Sequence, residues 1–116
     1  MSPTFVFSPD GTLRMALGSP GGPLIVDYVA KTLIGTLDWR LDVQAAISLP
    51  NFAGIENSAL IERGSRYASL FGDALASRGH ALRFNPLTSG VQAIERVPNG
   101  WRGGVDPRRE GVARGE

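Results

Sequence analysis

The residues of this chain best suited to chemistry are Gly18-Ser19-Pro20-Gly21-Gly22-Pro23, which end a strand-like run and open a long apolar helix. Glycines at such a junction permit positive φ angles and let neighbouring backbone N–H groups converge on one point. The first turn of the helix adds unpaired N–H groups and the positive end of its dipole, so negative charge is favoured there. That charge could belong to a bound phosphate, or to the oxyanion of a tetrahedral intermediate in acyl transfer, stabilised by donors fixed in advance. A lone glycine-rich turn can also be only a tight loop. A nucleotide P-loop fits poorly, because no Gly-Lys-Ser/Thr follows and Pro23 stands where a phosphate-binding side chain would be needed.

The other polar candidates form no complete catalytic set. Ser19 lies outside a Gly-x-Ser-x-Gly context and is followed directly by Pro20, so it reads as a turn residue and not a nucleophile. His80 is the single histidine, with no second His and no Cys to join it on a metal, and reads as structural or solvent-facing. Asp38 and Asp42 are four apart, yet Trp39-Arg40 between them looks like a helix-to-helix connection, which makes Asp42 a cap. Glu56 and Glu62 read as surface or strand-edge charges, and Asp106-Pro107-Arg108-Arg109 as a turn with an Asp–Arg pair near it.

These residues need elements to hold them, and 116 residues suffice for one domain with a core. Twelve basic against eleven acidic side chains give a net charge of +1, too balanced to draw nucleic acid or a membrane by bulk attraction. Arg102, Arg108, Arg109 and Arg114 gather late among glycines, as in a solvated, loop-rich tail. The absence of cysteine excludes a disulfide scaffold and thiolate-bound metal. Met1 to Phe5 lacks the pattern of a signal peptide, and the apolar stretch from Leu24 to Leu37, broken by Asp27, Lys31 and Thr32, is short of a membrane span.

Thr4 to Phe7 and Thr12 to Leu17 read as strands joined by a turn at Ser8-Pro9-Asp10-Gly11. Leu24 to Leu37 is apolar nearly all round, which predicts a helix buried on more than one side, with Pro23 in its first turn. A shorter helix runs from Asp42 to Leu49 and stops at Pro50. A strand at Ser58 to Arg63 is followed by a helix over Ser65 to Arg78 with Gly79 as its C-cap. Strands near Ala81 to Phe84 and Val91 to Val97, a turn at Pro98-Asn99-Gly100, and a last strand from Trp101 to Val105 complete an α/β or α+β layered domain. So much apolar surface implies that another segment or chain covers part of it.

Taken in order, the same residues resemble the C-terminal part of the gamma-glutamyltranspeptidase small subunit, a family of N-terminal nucleophile hydrolases. Met1-Ser2-Pro3-Thr4 looks like the family's Ser-Ser-Met-x-Pro-Thr stretch, entered at its methionine. Asp10-Gly11 and Gly18-Ser19-Pro20-Gly21-Gly22 are similar to its hairpin and diglycine turn. Gln44-Ala45-Ala46-Ile47 with Pro50, Glu62, Gly79-His80, Gln92-Ala93-Ile94, and Asp106-Pro107-Arg108 with Gly111, Ala113 and Gly115 continue the series over nearly the whole chain. The diglycine turn and the Asp-Pro-Arg ending are its most specific parts.

The resemblance implies part of a four-layer α-β-β-α sandwich over residues 1–116, and transfer of a gamma-glutamyl group from glutathione and its conjugates to water or an amino acid. It makes Gly21 and Gly22 the oxyanion hole, and so part of the substrate site, through their backbone N–H groups. It implies no cofactor and no metal. The family's threonine nucleophile and the serine pair that grips the glutamyl carboxylate would lie before Met1. The expectation is therefore that the chain is inactive alone and works only with the remaining small- and large-subunit portions. Asn51 stands where the family usually has arginine. Full-length relatives in bacteria are commonly exported to the periplasm or beyond, but no signal for it lies in these residues. Two alternatives stay open: a non-catalytic module that holds a carboxylate or phosphate at the Gly21-Gly22 turn, and a subunit completing a separately encoded partner.

Overall fold

The computed structural model describes residues 1–115. Its elements follow the order β1 (Thr4–Phe7), β2 (Leu13–Gly18), a 3-10 turn (Gly22–Leu24), α1 (Ile25–Leu37), α2 (Val43–Ser48), β3 (Phe52–Ile55), β4 (Ser58–Glu62), α3 (Arg66–Ser77), β5 (Ala81–Asn85), β6 (Gln92–Val97) and β7 (Gly100–Val105). They fall into two compact units, Pro50–Thr88 and the residues on either side of it.

The larger unit carries an antiparallel sheet in the order β1-β2-β6-β7. The β1–β2 turn closes as its chemistry predicts: the Ser8 N–H donates to the Thr12 carbonyl at 2.8 Å, and the Asp10 carboxylate accepts the Thr12 N–H at 2.9 Å. Strand alternation then sorts the side chains onto two faces. Leu17, Ala93 and Gly104 share one rung, and all three are buried. α2 lies over this rung so closely that a Cβ on Gly104 would stand 2.8 Å from Ile47 Cδ1. The next rung, Phe5, Ala16, Ile94 and Gly103, belongs to the opposite face. One helix layer and one sheet layer result, half of the four-layer arrangement that the family resemblance implies.

α1 departs from the expectation of burial on more than one side. Its buried residues are Tyr28, Val29, Lys31, Thr32, Gly35 and Thr36, a single stripe that contains every polar side chain of the helix except Asp27, while Val26 and Ile34 are exposed. The polar atoms reach backbone acceptors: Thr32 Oγ1 donates to the Tyr28 carbonyl, Thr36 Oγ1 to the Thr32 carbonyl, and Lys31 Nζ to the carbonyls of Ile47 and Leu49 at 2.9 and 2.8 Å. Hydrogen bonding removes the penalty of burying them, so shape decides which face turns inward. Gly35 allows Ala46 of α2 to approach, since a Cβ there would meet the Ala46 Cβ at 2.9 Å. Asp42 caps α2 as expected, its Oδ1 accepting the Ala45 N–H at 2.8 Å.

The smaller unit is a sheet in the order β3-β4-β5. β4 and β5 run parallel, and α3 supplies the crossover such a pair requires. α3 stops at Gly79, where the His80 N–H reaches the Leu75 carbonyl and the Gly79 N–H the Ala76 carbonyl, a Schellman motif. Tyr67 packs between Phe52 and Phe71, tilted against the first and edge-on to the second, with ring centroids 6.0 and 5.3 Å away. Sequence reasoning missed β3: it is four residues long, contains Gly54, and joins β4 through Glu56-Asn57, where Glu56 takes φ 51° without glycine to announce the turn.

Candidate functional site

Gly21 and Gly22 follow β2 and lead into the 3-10 turn that starts α1, as the sequence predicts for a strand-to-helix junction. Both take positive φ, 140° and 61°. Gly21 packs on the ring of buried Tyr28, where an added Cβ would lie 2.7 Å from Cε2, and Gly22 is exposed with nothing within 4 Å of such a Cβ. The Gly21 carbonyl accepts the Leu24 N–H at 3.3 Å, whereas the N–H groups of Gly21 and Gly22 meet no acceptor among the described residues. Two adjacent donors at a helix start can serve an external anion.

The residues just before the diglycine are fixed. Ser19 is 1% exposed; its Oγ donates to the Pro20 carbonyl at 2.7 Å and accepts the Gly90 N–H at 3.1 Å. Ser19 is thus turned inward and engaged, in agreement with its reading as a turn residue. Gly90 belongs to a connection held by Asp106. The buried Asp106 carboxylate accepts from the Ser89 hydroxyl, from the Val91 N–H at 3.2 Å, from the Arg108 N–H at 3.0 Å and from Arg108 Nη1 at 3.1 Å. Burial pushes this carboxyl's pKa up, but the hydrogen bonds from Ser89, Arg108 and Val91 outweigh it and hold it below its ordinary value. Arg108 also reaches the carbonyls of Ile47 and Leu49, the same two that Lys31 caps.

The Asp106–Arg108 pair was legible as a turn-side ion pair; its depth was not. Ser89 and Lys31 carried no sequence signal beyond being polar residues in apolar surroundings. Glu62 also lies deeper than a surface charge, since its Oε2 accepts the Asn51 N–H at 2.7 Å, while Asn51 Nδ2 donates to the Leu87 carbonyl. Glu56 and His80 are exposed. Asp38 is the residue at which α1 ends and Asp42 caps α2, the helix-to-helix connection that the sequence predicts. Among the described residues no three His, Cys, Asp or Glu side chains converge as a cation site.

The open face of the four-stranded sheet forms a groove of about 710 Å³. Gly18 and Pro20 line it together with Phe5, Ile94 and Trp101, so it reaches the end of β2 but does not include the diglycine itself. Phe5, Phe7, Ile94 and Trp101 are 61%, 60%, 43% and 45% exposed. Apolar area of this kind on a sheet face marks an interaction surface or a ligand groove.

A family model described as Gamma-glutamyltranspeptidase matches residues 1–116. The glutathione hydrolase proenzyme of Escherichia coli (strain K12) is 30% identical over 111 residues, which take in 93% of this chain and 19% of that protein. The chain spans only 17% to 22% of the length of the curated relatives compared. The gamma-glutamyltranspeptidase of Pseudomonas nitroreducens complexed with L-DON shares the fold with a TM-score of 0.88, at 23% identity, over 100% of this chain and 62% of that one. The T380A mutant of Helicobacter pylori gamma-glutamyltranspeptidase gives 0.85 at 29% identity, over 94% of this chain and 61% of the other.

Proposed function

The chain belongs to the gamma-glutamyltranspeptidase family, and we propose that its two units together are the C-terminal portion of the catalytic small subunit, supplying the oxyanion hole through the N–H groups of Gly21 and Gly22. The observation that carries this reading is the pair of adjacent N–H groups, both at positive φ and without an acceptor among the described residues, at the start of α1. In the reaction a hydroxyl from the remaining portion of the enzyme attacks the gamma-glutamyl carbonyl. Its oxygen takes up negative charge, which the two donors meet without having to reorganise. Collapse of the intermediate expels the amine and leaves an acyl-enzyme, which water or an amino acid then resolves.

The hydroxyl nearest in sequence to the diglycine, that of Ser19, is inward and engaged, which supports assigning the nucleophile to another part of the enzyme. The apolar open face of the sheet supports the same division, because in the assembled enzyme the remaining portion would cover it. Family membership supports gamma-glutamyl amides such as glutathione and its conjugates as the substrate class of the assembled enzyme.

The test is an assay of the purified 116-residue chain with a gamma-glutamyl anilide, alone and after co-expression with the portion that precedes it in the family architecture. No release of the aniline is expected from the chain alone, and turnover is expected from the co-expressed pair. Cleavage by the isolated chain would overturn the reading. So would tight, saturable calorimetric binding of glutamate or phosphate to it, which favours a stand-alone anion-binding module.

A further inference from the structure

We propose that Ser19 is a positioning residue for the Gly21 N–H: its hydroxyl holds, and polarises, the peptide unit that carries this donor. The inference rests on the diglycine being the oxyanion hole. The hydroxyl donates to the Pro20 carbonyl at 2.7 Å. That carbonyl and the Gly21 N–H are the two ends of one peptide group, planar and trans, so fixing the oxygen fixes the direction of the N–H. A hydrogen bond accepted by the carbonyl also withdraws charge from the same amide and makes its N–H a stronger donor, the cooperative effect known for hydrogen-bond chains.

The hydroxyl is itself held. It accepts the Gly90 N–H at 3.1 Å, so its own proton is directed at Pro20. Gly90 lies between Ser89 and Val91, both of which donate to the buried Asp106 carboxylate. It also packs against Pro20, for a Cβ on Gly90 would stand 2.8 Å from Pro20 Cγ. The direction of the Gly21 donor is thereby tied to the β6–β7 side of the unit through a serine that never meets substrate. Close packing and 1% exposure keep water from replacing the bond.

Two measurements test this. In the ¹⁵N-labelled chain, Ser19→Ala is expected to shift the Gly21 amide resonance, and Ser19→Thr, which keeps the hydroxyl, to restore the wild-type position. In the enzyme assembled with the preceding portion, Ser19→Ala is expected to lower kcat on a gamma-glutamyl anilide roughly 5–50-fold with KM within about twofold, less than the loss of a whole oxyanion donor. Ser19→Thr is expected to recover most of it. An unmoved Gly21 resonance in Ser19→Ala overturns the proposal, as does a moved resonance with unchanged kcat. Equal losses in Ala and Thr variants point to packing alone and also overturn it. A wild-type assembly without turnover sinks the functional reading, and the kinetic half of this inference with it, whereas the Gly21 resonance still decides whether Ser19 holds the peptide.

Discussion

A methyl group added at Gly21 and one added at Gly22 meet different surroundings. At Gly21 it would lie 2.7 Å from the ring of buried Tyr28, on a backbone with φ 140°, so both strain and overlap oppose it. At Gly22, with φ 61° and open space around it, only the left-handed backbone opposes it. Gly22→Ala is therefore expected to cost about 1 kcal/mol, and Gly21→Ala about 3 kcal/mol or more once overpacking is added. Urea melts of the two variants measure the difference, and equal midpoints would contradict the geometry. The need for glycine at both positions was legible in the sequence as a turn motif. What separates the two glycines, a tyrosine ring seven residues past Gly21, was not.

At the scale of elements, Asp106 follows β7 directly and fastens its end to the Ser89–Val91 connection, while Arg108 carries the tie to the C-terminal carbonyls of α2. Its carboxyl is held below the ordinary value of 3.8, so the folded chain binds this proton less readily than the unfolded chain does. The stabilisation is complete above the unfolded value and is lost as pH falls from near 3.8 through the depressed folded value. Asp106→Asn is expected to lower stability at pH 7 by on the order of 3 kcal/mol, the scale of breaking a buried pair, and to flatten the acid limb of the stability profile. Thermal melts of both proteins from pH 7 to pH 3 check this; parallel profiles would count against it. The sequence shows where most elements stop because caps are local: Asp42 starts α2 and Gly79 ends α3 with bonds that span three to five positions. β3 escaped notice because its pairing with β4 is made across a turn that no glycine or asparagine-glycine pair marks.

Over the whole molecule, the larger unit has helices on one face of its sheet and an apolar groove on the other. Phe5, Ala16, Ile94 and Gly103 form a rung across all four strands of that open face. The isolated chain is expected to bind a hydrophobic dye such as ANS and to self-associate with rising concentration. Ile94→Lys, on an exposed side chain, is expected to weaken association severalfold in sedimentation velocity while moving the melting temperature by no more than about 2 °C. Unchanged association would show that another surface is responsible. Alternation of side chains, turn residues and caps are properties of neighbouring residues, so the sequence alone determined the element order apart from β3, the diglycine junction and the family series. Which stripe of α1 turns inward, how deeply Lys31, Ser89 and Asp106 lie, and that Ser19 grips the peptide ahead of Gly21 were decided only by tertiary structure. Burial and hydrogen bonding at those positions depend on groups up to 71 residues away, as in the Ser19–Gly90 bond, and no local pattern encodes such a distance.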